Sequence, residues 1–229
     1  MMGTDDFHKK RKRDVGREAR RSANKLLNGE HWLIVCEGEK TEPLYFEELI
    51  AHANEQSEQK VYATIRGTGR NTESLVKYTE LLESINTFRK KKISNYDKIF
   101  VVFDKDSFQD EQFNASINKA KNMEYIPIWS NECVELWFLL HFIYFDAAIS
   151  RKEYVVKLKA KLKGRYKKAD NHFTRLQEHG GDIKKAYKNA MKLYGMHSIS
   201  GESFAKQKPC TMIFQMIDCL ESSLNIRLK

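Results

Sequence analysis

Two short apolar runs along the chain each end abruptly in acidic residues. The first covers residues 32–36 and is followed by Glu37. The second covers residues 98–103, within a predicted strand at residues 96–103, and is followed by Asp104 and Asp106. Uninterrupted apolar runs of this length are typical of strands that are buried on both faces of a parallel sheet. The pattern therefore predicts two buried strands with carboxylates at their C-terminal ends.

The rest of the first 146 residues alternates between helical and strand-like patterns. Helices are predicted at residues 42–54, 72–91 and 110–123, with Thr41 and Thr72 as N-caps, and strands at residues 61–66 and 125–129. This alternation predicts an α/β fold with a mostly parallel sheet flanked by helices. The predicted organisation is a basic N-terminal arm at residues 1–29, an α/β core at 30–146 and a helical C-terminal region at 147–229.

The composition is that of a folded domain and argues against a membrane or disulfide-rich protein. Of the 229 residues, 41% are hydrophobic and 31% are charged. The longest apolar stretch, at residues 134–145, is interrupted by Glu135 and His141, so no membrane span is predicted. The four cysteines form no CxxC pair, which favours reduced thiols. We therefore expect a cytoplasmic protein without a secretion signal.

The positive charge is concentrated in two segments. The net charge is +9, and residues 8–25 and 151–168 are both rich in lysine and arginine. Apolar residues recur at helical spacing within the second segment, which predicts an amphipathic helix with a cationic face. A solvated helix face is one interpretation and nucleic-acid contact is the other. The candidate contacts are Lys40, Arg70, Lys105, His141, Arg151, Lys157, Lys161 and Arg165.

The acidic strand ends predict a divalent-cation site. Ligands bind at the carboxyl ends of strands in parallel sheets, where Glu37, Asp104 and Asp106 are expected to meet. Asp104 and Asp106 point the same way if the chain stays extended, and Lys105 between them points elsewhere. Carboxylate pairs of this kind suit Mg²⁺ or Mn²⁺. Glu37 is a candidate metal ligand or general acid/base at a turn that Gly38 permits.

Two further features add candidates to this site. Glu135 and His141 lie in an apolar helical segment, where a charged side chain is costly unless it is paired or ligated. Glu135 is therefore a candidate metal ligand, whereas His141 is either a phosphate contact or a core histidine. The segment of residues 67–71 precedes a helix and suits a phosphate through its backbone donors, with an ordinary connection as the alternative.

Three sequence blocks resemble RloB-like proteins, which have a Toprim-like fold. They are IVCEGEKTEPLYF at residues 34–46, FDKDSF at residues 103–108 and SNECVELWFLLHF at residues 130–142, with a weaker match in KPCT at residues 208–211. In this resemblance Glu37 matches the Toprim glutamate, and Asp104 and Asp106 match the metal-binding pair. The third block departs from the family where Glu132 replaces the usual proline, which is expected to loosen the turn before the helix.

The resemblance implies a metal-dependent nuclease of a prokaryotic anti-phage or abortive-infection system. An ABC- or AAA-type ATPase encoded nearby is the expected partner, and the substrate is tRNA, other RNA or DNA. A non-catalytic nucleic-acid-binding or regulatory subunit held by the ATPase is the alternative. Nucleotidyl transfer of primase type is a third function and ranks last. Homo-oligomer formation stays open.

Overall fold

A five-stranded sheet with the strand order β2-β1-β3-β4-β5 organises the protein. The computed structural model describes residues 29–85, 96–106 and 108–228. The four strands β1 to β4 are parallel, and β5 pairs antiparallel with β4. The strands are β1 (Gly29–Cys36), β2 (Lys60–Gly67), β3 (Lys98–Asp104), β4 (Ile126–Asn131) and β5 (Cys210–Thr211).

Helices cover this sheet and extend beyond it. They are α1 (Thr41–Glu55), α2 (Thr72–Ile85), α3 (Asp110–Asn122), α4 (Glu135–Leu140), α5 (Arg151–Lys161), α6 (His172–Glu178), α7 (Ile183–Ser200) and α8 (Phe214–Leu224), with a short 3₁₀ helix at Phe204–Lys206. The predicted α/β fold with a mostly parallel sheet is confirmed. The arrangement is consistent with the Toprim-like fold that the resemblance implies.

One hydrophobic core joins the predicted α/β and helical regions. The central strands β1 and β3 contribute side chains such as Ile34 and Val101, which are fully buried, and Tyr154 and Phe214 from the C-terminal helices belong to the same cluster. The strand β5 also comes from the C-terminal region, and its Thr211 pairs with Ser130 of β4. The C-terminal region is therefore mainly helical, as predicted, but it completes the sheet.

The structure changes several predicted helix boundaries. Thr41 and Thr72 are the first residues of α1 and α2 and not their N-caps. Asn71 is the residue that accepts the backbone N–H of Ser74, at 3.0 Å, so it caps α2. The described part of the predicted 72–91 helix ends at Ile85. The predicted basic arm lies outside the described residues, apart from residue 29.

The described residues bear on two further predictions, one about membrane spans and one about the cysteines. None of the helices in ranges 29–85, 96–106 and 108–228 is both long and apolar enough to span a bilayer. All four cysteines are free thiols, and Cys36, Cys133 and Cys210 are buried.

His141 lies in the core and does not face a ligand. Its side chain is fully buried. Its Nε2 lies 3.4 Å from the hydroxyl of Tyr45, which also accepts a 2.6 Å hydrogen bond from Nε1 of Trp137. Burial lowers the pKa of His141 to about 3, so the ring is neutral. The expectation of a phosphate contact is therefore corrected in favour of the core-histidine alternative.

We expect His141→Phe to alter the pH dependence of stability. Histidine in the unfolded chain titrates near 6.5. The stability contributed by the neutral ring is complete above that pH and is lost as the pH falls from 6.5 towards 3, because only the unfolded chain takes up a proton in this window. As the pH falls, the free energy of unfolding of His141→Phe should therefore decrease by about 1 kcal/mol less than that of the wild type for each pH unit below 6.5. Urea unfolding between pH 7.5 and pH 5 measures the effect.

Leu220→Ala is the control, because it truncates a buried core side chain and leaves His141 in place. It should lower the free energy of unfolding without changing its pH slope relative to the wild type. Equal slopes for the wild type and His141→Phe would show that His141 is not held neutral by the fold.

Candidate acidic site

The site lies where the strand order reverses. Along the chain β1 is followed by β2 on one side, and β3 lies on its other side. Such a reversal opens a crevice at the carboxyl ends of the strands. Cys36 pairs in register with Val102, and the backbone N–H of Glu37 donates to the carbonyl of Val102 at 2.8 Å. The sheet therefore brings Glu37 next to Asp104.

A cavity of about 560 Å³ occupies this crevice. Its lining is unusually rich in charge and comes from both the α/β core and the C-terminal region. The acidic residues that line it are Glu37, Glu39, Glu42, Asp104, Asp106 and Glu135, and the basic residues are Lys40, Arg151, Lys167 and Lys168. The structure thus brings all four predicted metal ligands to one cavity.

Glu37 is held by hydrogen bonds at the end of β1. Its Oε2 accepts from the hydroxyl of Thr72 and from the backbone N–H of Asp104, both at 3.3 Å. Burial raises the pKa of Glu37 to about 7, with contributions from the nearby Asp106 and Glu42 carboxylates, while the bond from Asp104 opposes the shift. A carboxyl group with a pKa near neutrality suits proton transfer.

Asp104 and Asp106 meet across a bend in the chain. Asp104 is almost fully buried at the end of β3, and its Oδ2 accepts from the backbone N–H of Val134 at 3.2 Å. Asp106 has a positive φ of 38°, so the chain turns at this residue and the condition of an extended chain is not met. Burial raises the pKa of both carboxyl groups, and the Glu135 carboxylate adds to the shift.

Arg151 lies among these carboxylates. Its guanidinium forms ion pairs with Asp104 through Nη2, with Asp106 through Nη1 at 2.9 Å and with Glu135 through Nε at 3.5 Å. Burial alone would lower the pKa of Arg151, but the carboxylates of Asp104, Glu135 and Asp106 raise it above its usual value. The predicted nucleic-acid contact is therefore corrected in this structure to an internal counter-ion.

The N-terminus of α5 fixes the backbone of Arg151. Ser150 is the N-cap and accepts from the backbone N–H of Glu153, while the Glu153 carboxylate accepts from the backbone N–H of Ser150 at 2.8 Å. This reciprocal pair is a capping box. It places Arg151 at the first helical position, beside the cavity.

Glu135 is buried with one oxygen incompletely satisfied. Its Oε1 accepts from the hydroxyl of Tyr166 at 2.9 Å. Its Oε2 and the Nε of Arg151 are 3.5 Å apart, and neither atom has a hydrogen-bond partner among the described residues. A buried carboxylate oxygen without a donor is costly, which supports a cationic ligand for this corner of the cavity.

Glu42 belongs to the cavity, although its place in the first turn of α1 predicts only a helix-stabilising role. The side chain is 5% exposed, and burial raises its pKa. A Cβ atom built on Gly38 would lie 2.0 Å from Oε2 of Glu42. The missing side chain of Gly38 therefore makes room for this carboxylate.

The segment that follows β2 packs against the end of β1 through backbone hydrogen bonds. The backbone N–H groups of Thr68 and Gly69 donate to the carbonyls of Cys36 and Glu37, at 3.1 and 2.8 Å. A Cβ atom on Gly67 would lie 2.5 Å from the carbonyl oxygen of Glu39. These two donors are used within the protein, which favours the alternative of an ordinary structural connection.

The remaining predicted nucleic-acid contacts are scattered. Lys40 is exposed at the cavity, whereas Lys105 is only 9% exposed, pairs with Asp110 at 3.2 Å and donates to the carbonyl of Phe108. Lys105 therefore points away from Asp104 and Asp106, as predicted, but it is not a free surface cation. The other four contacts are exposed and lie outside the cavity lining: Arg70, Lys157, Lys161 and Arg165.

The donor set fits a hard divalent cation, but in the observed conformation the donors are not arranged around one. All candidate ligands are carboxylates, which Mg²⁺ and Mn²⁺ prefer. However, no group of three or more acidic, histidine or cysteine residues in the described ranges is arranged to hold a metal ion. Three of the carboxylates are instead bound to Arg151. Metal binding would therefore require the guanidinium to move.

Replacement of Gly67 by alanine should destabilise the protein. The new Cβ would collide with the backbone carbonyls of Glu39 and Gly38, at 2.5 and 2.7 Å, so the turn after β1 must shift. We expect the free energy of unfolding to fall by about 1–3 kcal/mol, the usual cost of overpacking. Urea unfolding at neutral pH measures the change.

Gly195→Ala is a matched control in α7, where an added Cβ meets nothing within 4 Å. It should raise the free energy of unfolding by about 0.5–1 kcal/mol, since alanine favours a helix over glycine. Equal effects of the two substitutions would contradict the close contact at Gly67.

Comparison of the whole chain with curated proteins and with solved structures finds no match. Comparison with protein-family models finds the model of the RloB-like proteins, which matches residues 32–220. This span covers most of the chain and includes every charged residue that lines the cavity. The protein therefore belongs to the RloB-like family.

Proposed function

We propose that the protein is a metal-dependent nuclease that hydrolyses phosphodiester bonds of RNA or DNA. The observation that supports this most is the meeting of six carboxylates in one cavity that lysines also line: Glu37, Glu39, Glu42, Asp104, Asp106 and Glu135. Carboxylates suit a divalent cation, and lysines suit the phosphates of a nucleic acid. The cavity therefore suits a ligand that brings a divalent cation and phosphate groups together.

The residues would divide the chemistry between them. Asp104, Asp106 and Glu135 would hold Mg²⁺ or Mn²⁺, with Glu37 as a further ligand or as the proton-transferring group. The ion supplies charge stabilisation for a phosphoryl group and activation of water. Glu37 is already oriented by Thr72 and by the backbone of Asp104, so its proton-accepting oxygen has a defined position.

The lysines would position the substrate. Lys40, Lys167 and Lys168 are exposed at the cavity, and Lys157, Lys161 and Arg165 are exposed along and after α5, outside the cavity lining. Backbone phosphate contacts of this kind do not distinguish tRNA from other RNA or DNA. The family resemblance further supports a role in prokaryotic anti-phage defence with an ATPase partner.

One observation favours the alternative of a non-catalytic nucleic-acid-binding or regulatory subunit. Arg151 forms ion pairs with Asp104, Asp106 and Glu135 in the observed conformation, so these acids have a counter-ion within the chain. A cleavage assay separates the two functions. The non-catalytic subunit would bind nucleic acid or the ATPase partner and cleave nothing in either context.

Glu37→Gln should abolish metal-dependent cleavage while the fold stays intact. The substitution keeps the shape of the side chain but removes its charge and its ability to accept a proton. We expect the rate to fall by about 10²–10⁴-fold, which is typical for loss of an acid or base. The assay uses Mg²⁺ and a panel of tRNA, single-stranded RNA, single-stranded DNA and plasmid, with and without the ATPase partner.

Glu55→Gln, at the exposed C-terminal end of α1, is the charge-matched control and should retain full activity. Wild-type cleavage that persists in excess EDTA would refute the metal mechanism. Equal rates for the wild type and Glu37→Gln would refute the role of Glu37.

Removal of two of the three lysines at the cavity should weaken nucleic-acid binding. The salt dependence is the slope of the logarithm of the binding constant against the logarithm of the salt concentration. Each phosphate contact that is lost makes this slope less steep by about one unit. We expect Lys167→Gln combined with Lys168→Gln to reduce the slope for a fluorescein-labelled single-stranded RNA by about 1–2 units. Fluorescence anisotropy at several salt concentrations measures it.

The matched control is Lys184→Gln combined with Lys185→Gln, two exposed lysines of α7 that do not line the cavity. This pair removes the same charge and should change the slope less. Equal losses from both pairs would indicate a diffuse electrostatic effect and no contact at the cavity.

A further inference from the structure

We infer that Arg151 is a built-in counter-ion that a divalent cation must displace before the acidic site is loaded. The inference rests on the proposed metal dependence but concerns a residue of this chain. Without an ion, the guanidinium stabilises Asp104, Asp106 and Glu135. With an ion, the same carboxylates change partner. Arg151 thus sets how tightly the site binds its cation.

The contacts show why the guanidinium and an ion compete. Three different nitrogens of Arg151 face Asp104, Asp106 and Glu135. Each of these three residues is also a candidate metal ligand from the sequence alone. An ion bound to the same carboxylates would lie close to the guanidinium, and two cations at that separation repel each other in a partly desolvated site.

The pairing with Glu135 is incomplete, which favours exchange. The Nε of Arg151 and the Oε2 of Glu135 are too far apart for a hydrogen bond, at 3.5 Å, and both atoms lack a partner in the described part of the chain. Glu135 itself is 2% exposed and lines the cavity. An ion would satisfy an oxygen that the guanidinium leaves without a donor.

The side chain of Arg151 also has room to leave. It is 32% exposed and borders the cavity, while the side chain of Asp104 is 7% exposed and accepts a hydrogen bond from the backbone N–H of Val134. The capping box of Ser150 and Glu153 holds the backbone at the start of α5. Rotation of the long side chain alone can therefore release the carboxylates, and the helix does not have to unfold.

Charge balance leaves the cavity able to accept more positive charge than Arg151 provides. Glu37 and Glu42 also line it and make no ion pair within 4 Å among the described residues. Lys167 and Lys168 are exposed at its edge and compensate only from a distance. One guanidinium, with a single positive charge, therefore balances less of the negative charge of this cluster than a doubly charged ion does.

The test is isothermal titration calorimetry of Mn²⁺ into the metal-free full-length protein, with Arg151→Gln as the principal variant. We expect Arg151→Gln to bind Mn²⁺ about tenfold more tightly than the wild type, because the competing cation is gone. Arg151→Lys keeps the charge but loses the forked geometry, so its affinity should lie between the two. Near-UV circular dichroism verifies that each variant is folded.

Thermal unfolding gives a second readout that does not depend on cleavage. In EDTA, Arg151→Gln should unfold at a lower temperature than the wild type, because its carboxylates lose their partner. Addition of Mn²⁺ should then raise its unfolding temperature by more than it raises that of the wild type. Lys152→Gln, the exposed neighbour on α5, is the charge-matched control and should behave like the wild type in both measurements.

The outcomes separate this inference from the proposed function. Equal or weaker Mn²⁺ binding by Arg151→Gln, with clear binding by the wild type, would overturn the exchange and leave the metal-dependent nuclease standing. No Mn²⁺ binding by any variant would overturn both. Tightened binding that survives the addition of Glu37→Gln and Asp104→Asn to Arg151→Gln would place the ion elsewhere and also overturn the exchange.

Discussion

The cost of gathering carboxylates in a partly buried cavity is the constraint on which the site depends. Asp104 and Glu135 are almost fully buried, and Glu37, Glu42 and Asp106 lie beside them. Carboxylates that lie close together in a partly buried cavity raise one another's pKa values. They must therefore pair with a cation or take up protons. Arg151 is the cation that the described structure provides.

This electrostatic requirement explains why the C-terminal region is part of the site. The parallel sheet alone places Glu37 and Asp104 together, but their counter-ion comes from the start of α5, and two of the three nearby lysines come from the segment that follows it. The same region supplies β5 and several core side chains. Fold stability and site chemistry are therefore coupled through residues far apart in sequence.

The sheet and its acidic ends could be predicted because both depend on local patterns. The apolar runs of β1 and β3 have few alternatives to buried strands, and the residues that follow them are then placed by topology. The role of Arg151 could not be predicted, because a cationic helix face gives no indication of which arginine turns inward. His141 and Glu42 show the same limit, since burial depends on packing partners from other elements. The pattern of Ser150 followed three residues later by Glu153 is a local signal that could have located the start of α5.

The central claim is that the carboxylates at the ends of β1 and β3 bind a divalent cation. Anomalous diffraction from crystals of the full chain soaked in Mn²⁺ tests it most directly. We expect a strong anomalous peak within about 2.0–2.3 Å of a carboxylate oxygen of Asp104, with the guanidinium of Arg151 moved away from Asp104 and Asp106. A well-ordered cavity without a peak, with Arg151 still bound to the carboxylates at saturating Mn²⁺, would contradict it.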